Sequence, residues 1–182
     1  MTKDDFMKFV EENAINERVE LDWKKERDIY LEYLSQLYKQ INGFLKEFVD
    51  SKKINIRTET TQISEEYIGT YSAPTMIITI GAKIVSLTPI GTVLIATKGR
   101  VDMQGSNGTI KILLVDSKKR GLRDHIRVTI RQAGEPTPKG IPAVDQNPIE
   151  WQWRILTPPP SSKYLEFNAD NFMDALMELS NG

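Results

Sequence analysis

The apolar residues change their period once, near residue 53, and that change constrains the fold more than any other feature. Before it, Trp23, Tyr30, Leu37 and Phe44 recur every seven residues, with Leu34, Ile41 and Phe48 in a second row. This spacing places all seven on one side of a helix. From Ile54 onward apolar or Thr residues alternate with polar ones, as in Ile54-Asn55-Ile56-Arg57-Thr58-Glu59-Thr60. That is the period of a strand with one buried face.

The helical part is expected to start at a Thr2 cap, with Asp4 and Asp5 near the positive end of the helix dipole. A break is expected at residues 13–16, and the long helix is expected to end near 50–53. Strands are expected at 54–60, 75–80, 83–88, 92–103, 109–116, 125–132, 150–156 and 163–167. Gly81-Ala82, Pro89 with Gly91, and Gly105-Ser106-Asn107-Gly108 read as turns between them. These connections are too short for crossover helices, so the strands should pair antiparallel as a meander. Residues 134–148 read as a long irregular loop, and 157–162, with three prolines, as a stiff connector. Asn168 or Asp170 should start a C-terminal helix with Phe172, Met173, Leu176 and Leu179 on its apolar face.

An antiparallel sheet with one apolar face must cover it. The expected fold is therefore one α+β domain over residues 1–182. A long N-terminal helix (1–52) and a short C-terminal helix (168–182) pack on one face of a curved, mostly antiparallel meander sheet (53–167). Trp151, Trp153 and Ile155 should face the helices, opposite Gln152 and Arg154. The helix stripe has an alternative use as a homodimer seam.

Composition closes several chemistries. The 182 residues include no Cys and one His, so thiolate catalysis, Cys-based metal sites and two-His metal sites are excluded. No apolar run approaches the roughly 20 residues of a membrane span, and the acidic start does not suit a signal peptide. A soluble, cytoplasmic protein with no membrane partner and no cofactor is the expectation.

Charge is unevenly spread. Residues 98–131 carry nine basic against three acidic residues, in a chain whose net charge is −1. On the expected polar sheet face, Lys98, Arg100, Lys111, Arg127, Arg131 and Arg154 are the candidate binding residues. They suit an acidic protein patch or a polyanion. Nucleic acid is the weaker match, because the tryptophans fall on the apolar side and leave no stacking platform among the basic residues.

One constellation suggests catalysis. Asp102 follows Gly99-Arg100-Val101, and Asp116-Ser117-Lys118 closes the next apolar run. The pattern resembles the signature of PD-(D/E)xK nucleases, over about 20 residues. The resemblance implies Mg²⁺ held by Asp102 and Asp116, with Lys118 assisting the attacking water. It departs from the family at Val101, where a proline is expected, and in having no room for a crossover helix after Lys118. His125, after Asp124, lacks the nucleophile turn that a Ser–His–Asp site needs. The expectation is a non-enzymatic binding or protein-interaction domain. A Mg²⁺-dependent nuclease or phosphodiesterase is one alternative, and a small-ligand pocket between helix and sheet is another.

Overall fold

The computed structural model describes residues 3–92, 97–125 and 148–181. Its first element is α1 (Lys3–Asp50), one uninterrupted helix of 48 residues. The expected break at 13–16 is absent: two asparagines cost a helix well under 1 kcal/mol each, too little to interrupt it. The Thr2 cap lies outside the described residues. α1 ends in a Schellman arrangement, with Lys52 NH donating to Val49 O (2.9 Å) and Lys53 NH to Phe48 O (2.9 Å). Lys52 takes the left-handed position usually filled by glycine, at φ 59°.

Among the described residues seven strands follow, and each pairs antiparallel with the next in the order β1 to β7. They are β1 (Ile54–Glu65), β2 (Gly69–Ile80), β3 (Lys83–Gly91), β4 (Gly99–Gly105), β5 (Gly108–Asp116), β6 (Trp151–Leu156) and β7 (Tyr164–Glu166). The sheet is an open meander, as expected. Two-residue turns at Gly81-Ala82 and Ser106-Asn107 set the registers Ile80↔Lys83 and Gly105↔Gly108.

Several boundaries differ from expectation. β2 starts at Gly69 and runs through Pro74, whose missing NH falls beyond the end of the β2–β3 pairing at Met76↔Leu87. Pro89 and Gly91 do not form a turn; they lie in β3 on either side of a register shift against β4. Of the strand expected over 92–103, β4 accounts for the part from Gly99; residues 93–96 lie outside the described residues. His125 does not open a strand but ends a 3₁₀ turn, Leu122–His125. The strand expected to run on to 132 and most of the loop at 134–148 lie outside the described residues. Residues 157–162 form a hairpin connection rather than an extended rod, closed by Thr157 NH to Lys163 O at 2.9 Å.

The helix stripe packs on the chain's own sheet. Tyr30, Leu34, Leu37 and Ile41 are wholly buried against Met76, Ile78, Leu87, Val101, Met103, Ile112 and Leu114, while Phe44 and Phe48 are half-buried at the margin. Of the residues considered for a dimer seam, Tyr30 and Leu37 are wholly buried within the chain, whereas Trp23 and Phe44 are half-buried. Gly99 lets α1 approach closely: a Cβ there would stand 2.5 Å from the Tyr30 ring. The Tyr30 hydroxyl donates to Arg100 O (2.8 Å), and Tyr38 donates to Pro74 O (2.8 Å) and Leu87 O (3.0 Å). Burial pushes both phenols above their ordinary range.

The second helix, α2 (Ala169–Ser180), is capped by Asn168, whose side chain accepts from Asn171 NH at 2.9 Å. It buries Phe172, Ala175, Leu176 and Leu179. Phe172 sits in a ring cluster with Phe44 and Phe167, at centroid distances of 6.0 and 5.7 Å. At its other end the β4–β5 turn donates to the orphan carbonyls of α2: Asn107 NH to Leu179 O (3.2 Å) and Asn107 Nδ2 to Glu178 O (3.0 Å). At the far end of β1, Glu65 ties β2 to the residue that follows β3. Its carboxylate accepts from the Tyr71 hydroxyl (2.5 Å) and from the Thr92 NH and hydroxyl (both 2.9 Å).

Candidate functional site

The register fixes the side of the sheet for the candidates that lie on β4, β5 and β6. Gly99, Leu114 and Trp153 form one cross-strand row and face α1, as do Val101, Ile112 and Ile155. Arg100, Leu113, Arg154 and Glu166 form a row on the opposite face, and Asp102, Lys111 and Leu156 form the next. Three of the six candidate binding residues therefore share the outer face: Arg100, Lys111 and Arg154.

That face carries less free charge than its composition suggests. Arg100 donates from Nε and Nη2 to both carboxylate oxygens of Asp102, each at 2.6 Å. This hydrogen bonding holds the Arg100 guanidinium above its ordinary range, outweighing the opposing effect of burial. Lys111 stands across the strand pair from Asp102. Arg154 donates from Nη2 to the side-chain Oε1 of Gln152 at 2.8 Å and stands across the strand pair from Glu166.

Lys98 is not on this face. It precedes β4 in a bend, so strand alternation does not govern it. Its ammonium reaches α1, pairing with Glu26 at 2.8 Å and lying 5.4 Å from the Trp151 ring centroid. Arg127 and Arg131 lie outside the described residues.

Asp102 and Asp116 are not brought together. Asp102 pairs with Lys111 on the outer face, whereas Asp116 pairs with Trp151, whose parity is that of Trp153 and the helix face. The two carboxylates start from opposite sides of the sheet, so they do not converge on one Mg²⁺. Asp116 instead accepts from Lys118 NH at 3.0 Å, closing a turn in the manner of an Asx residue. Among the described residues, no group of three or more His, Asp or Glu side chains is placed to hold a metal. No described helix is long and apolar enough to cross a membrane.

What the fold does build is a cleft of about 270 Å³ between α1 and β6. Tyr33, Gln36 and Gln40 of α1 form one wall, residues 151–154 of β6 the other, and Glu166 with Phe167 one end. It exists because β7 is short. β7 pairs only with Arg154, Ile155 and Leu156, and then the chain turns off towards α2. The outer edge of Trp151–Trp153 is left without a neighbouring strand among the described residues.

The direction of the backbone groups on that edge follows from two hydrogen bonds. Glu150 O accepts from Ser117 NH on the β5 side, and Thr157 NH donates to Lys163 O on the β7 side. In a strand the NH and C=O of one residue point the same way, and the direction alternates along the chain. Trp151 and Trp153 therefore turn their NH and C=O groups away from β5, along the edge that adjoins the cleft. The strand is fixed at this point, because the Trp153 indole donates to Tyr33 O at 3.0 Å and its ring is buried. Gln36 and Gln40, on the exposed side of α1, add carboxamides that both donate and accept.

Arg154 and the two tryptophans stand out in the sequence, but the cleft does not. The signal was the disparity between a six-residue strand pattern before the prolines and a three-residue one after them. Comparison with protein-family models, with curated proteins and with solved structures finds no match for this chain.

Proposed function

We propose that this chain is a non-enzymatic protein-interaction domain that takes an extended segment of a partner protein into the cleft between α1 and β6, as an added strand. The observation that carries this reading is the outward-facing backbone of Trp151 and Trp153. Unpaired NH and C=O groups beside apolar surface are a template for main-chain recognition. Gln36, Gln40 and Gln152 would read the added strand through amide hydrogen bonds, and Arg154 with Glu166 would favour a segment carrying both charges.

A small-ligand pocket is the second choice. At about 270 Å³ the cleft lies just under the range of roughly 300–1,000 Å³ usual for such sites, and it is open along a strand edge. The outer sheet face is weaker still as a docking surface for a polyanion, because Arg100 is already neutralised by Asp102. The opposed orientation of Asp102 and Asp116 supports a non-catalytic role. A cytoplasmic setting suits a chain without cysteine.

The test is selection of binders from a displayed library of short peptides, followed by affinity measurement against two cleft variants. Gln36→Trp and Gln40→Trp sit at exposed helix positions, so the fold should tolerate them while the cleft is filled. Selected peptides should bind with Kd near 10–100 μM, as suits one short strand edge, and lose tenfold or more on either variant. Peptides that bind both variants as tightly as the native chain would overturn the assignment of the cleft.

A further inference from the structure

The opposite edge of the sheet carries an inference independent of the cleft. β1 lies at the end of the strand order, and its outer edge has no neighbour among the described residues. It is twelve residues long, and Asn55, Arg57, Thr58, Glu59, Thr60 and Gln62 are exposed. Long free edges invite pairing, and natural proteins commonly blunt them with charge. Here the charges are Arg57 and Glu59, which stand two residues apart on one face and pair with each other.

The register shows which backbone groups face outward. The two-residue turn at Gly81-Ala82 makes Ile80 and Lys83 a hydrogen-bonded closing pair. Ile80 and Ile78 therefore direct their NH and C=O to β3, while Thr79, Ile77 and Thr75 direct theirs to β1. Their partners Asn55, Arg57 and Glu59 point inward, so Ile56, Thr58 and Thr60 present their backbone groups to solvent.

We propose that β1 pairs antiparallel with β1 of a second copy of this chain, about a two-fold axis through Thr58. This register makes Thr58 a hydrogen-bonded pair with Thr58 of the second copy, and Ile56 a hydrogen-bonded pair with Thr60 of the second copy. Arg57 then faces Glu59 of the second copy, and Glu59 faces Arg57. Both are non-hydrogen-bonded pairs, the positions at which opposed side chains approach most closely. Four charges alternate in sign around a square. A shift of the axis to Arg57 or to Glu59 would set like charges against each other, so the charge pattern selects the register centred on Thr58. The pair that would repel an unrelated strand complements its own copy. A single strand edge buries less than the roughly 1,200 Å² of a stable interface, so the dimer is weak, with Kd of about 10–1,000 μM.

Sedimentation equilibrium of the full chain from about 1 μM to 1 mM tests this. The mass should climb from that of one chain, 20.8 kDa, towards twice that value. Arg57→Glu and Glu59→Arg, both at exposed positions, should each stay at one chain's mass, at least tenfold weaker in self-association. An equimolar mixture of the two variants should pair, because an all-acidic edge then meets an all-basic one. The double exchange R57E/E59R should restore the native behaviour. A native chain that remains monomeric to 1 mM overturns the proposal. So does a dimer indifferent to either single exchange, or a mixture of the two variants that fails to associate.

Discussion

β1 runs for twelve residues along one edge of the sheet with most of its side chains in water, whereas β7 occupies three residues of the other edge and is backed by a cluster of phenylalanines. The first edge is guarded by an ion pair, the second by packing. Charge leaves the backbone of β1 accessible and makes pairing depend on what the approaching strand carries. Packing closes the far edge except where β7 stops short, and there the backbone of Trp151 and Trp153 faces a cleft instead of open solvent. Accessibility and selectivity are thus distributed differently between the two edges of one sheet.

Three measurements sharpen or break this contrast. The largest effect should come from Phe172→Ala, which removes a wholly buried ring between Phe44 and Phe167. A loss of about 3–5 kcal/mol is expected in urea unfolding. A loss under 1 kcal/mol would show that packing does not hold the β7 side.

The second concerns pH at the β1 side. Tyr71 is raised above its ordinary value by burial first, and then by its hydrogen bond to Glu65. The native state keeps this proton where the unfolded chain, with a pKa near 10, releases it. Its contribution is therefore intact below pH 10 and declines as pH rises further, by about 1.4 kcal/mol per unit. Tyr71→Phe should lessen the alkaline slope of stability by that amount, leaving the parts due to Tyr30 and Tyr38. An unchanged slope would mean that Tyr71 ionises freely in the folded protein and that the Glu65 clasp is loose.

The smallest effect should be at the edge itself. Thr60→Ala, at an exposed residue of β1, should change stability by less than about 0.5 kcal/mol. A larger loss at low protein concentration would mean that β1 is supported by more than its pairing with β2.

Much of this fold is legible in the sequence because its causes are local. The seven-residue stripe, the switch to period two and the glycines at 105 and 108 each act within a few residues, and the helix and hairpins follow from them. The Asn168 cap belongs to the same class. Strand ends are harder. Pro89 and Gly91 have the composition of a turn, yet both lie within β3, because the pairing with β4 absorbs them as a register shift that nearby residues do not encode. Strand alternation places Lys98 on the outer face, but Lys98 lies in a bend before β4 and reaches Glu26 of α1 instead. The opposed orientation of Asp102 and Asp116 was within reach. The Ser106-Asn107 turn fixes Asp102 opposite Lys111, and Asp116 is an odd number of residues further on. The cleft was not within reach, because it depends on where the chain leaves β7 to place Phe167 among the rings of α1 and α2.

The length of α1 has a consequence for how the molecule opens. Its 48 residues rise about 72 Å, but among its described side chains the wholly buried ones begin at Tyr30, and those of residues 6–11 are exposed. Amides in those first turns are held by helical hydrogen bonds, without a buried face beneath them. Their hydrogen exchange should follow local fraying, while amides around Leu34 to Leu45 should exchange only through global unfolding. One continuous helix thereby runs from fraying turns to turns protected by the whole fold, and a residue-by-residue exchange profile along it would locate where tertiary structure takes hold.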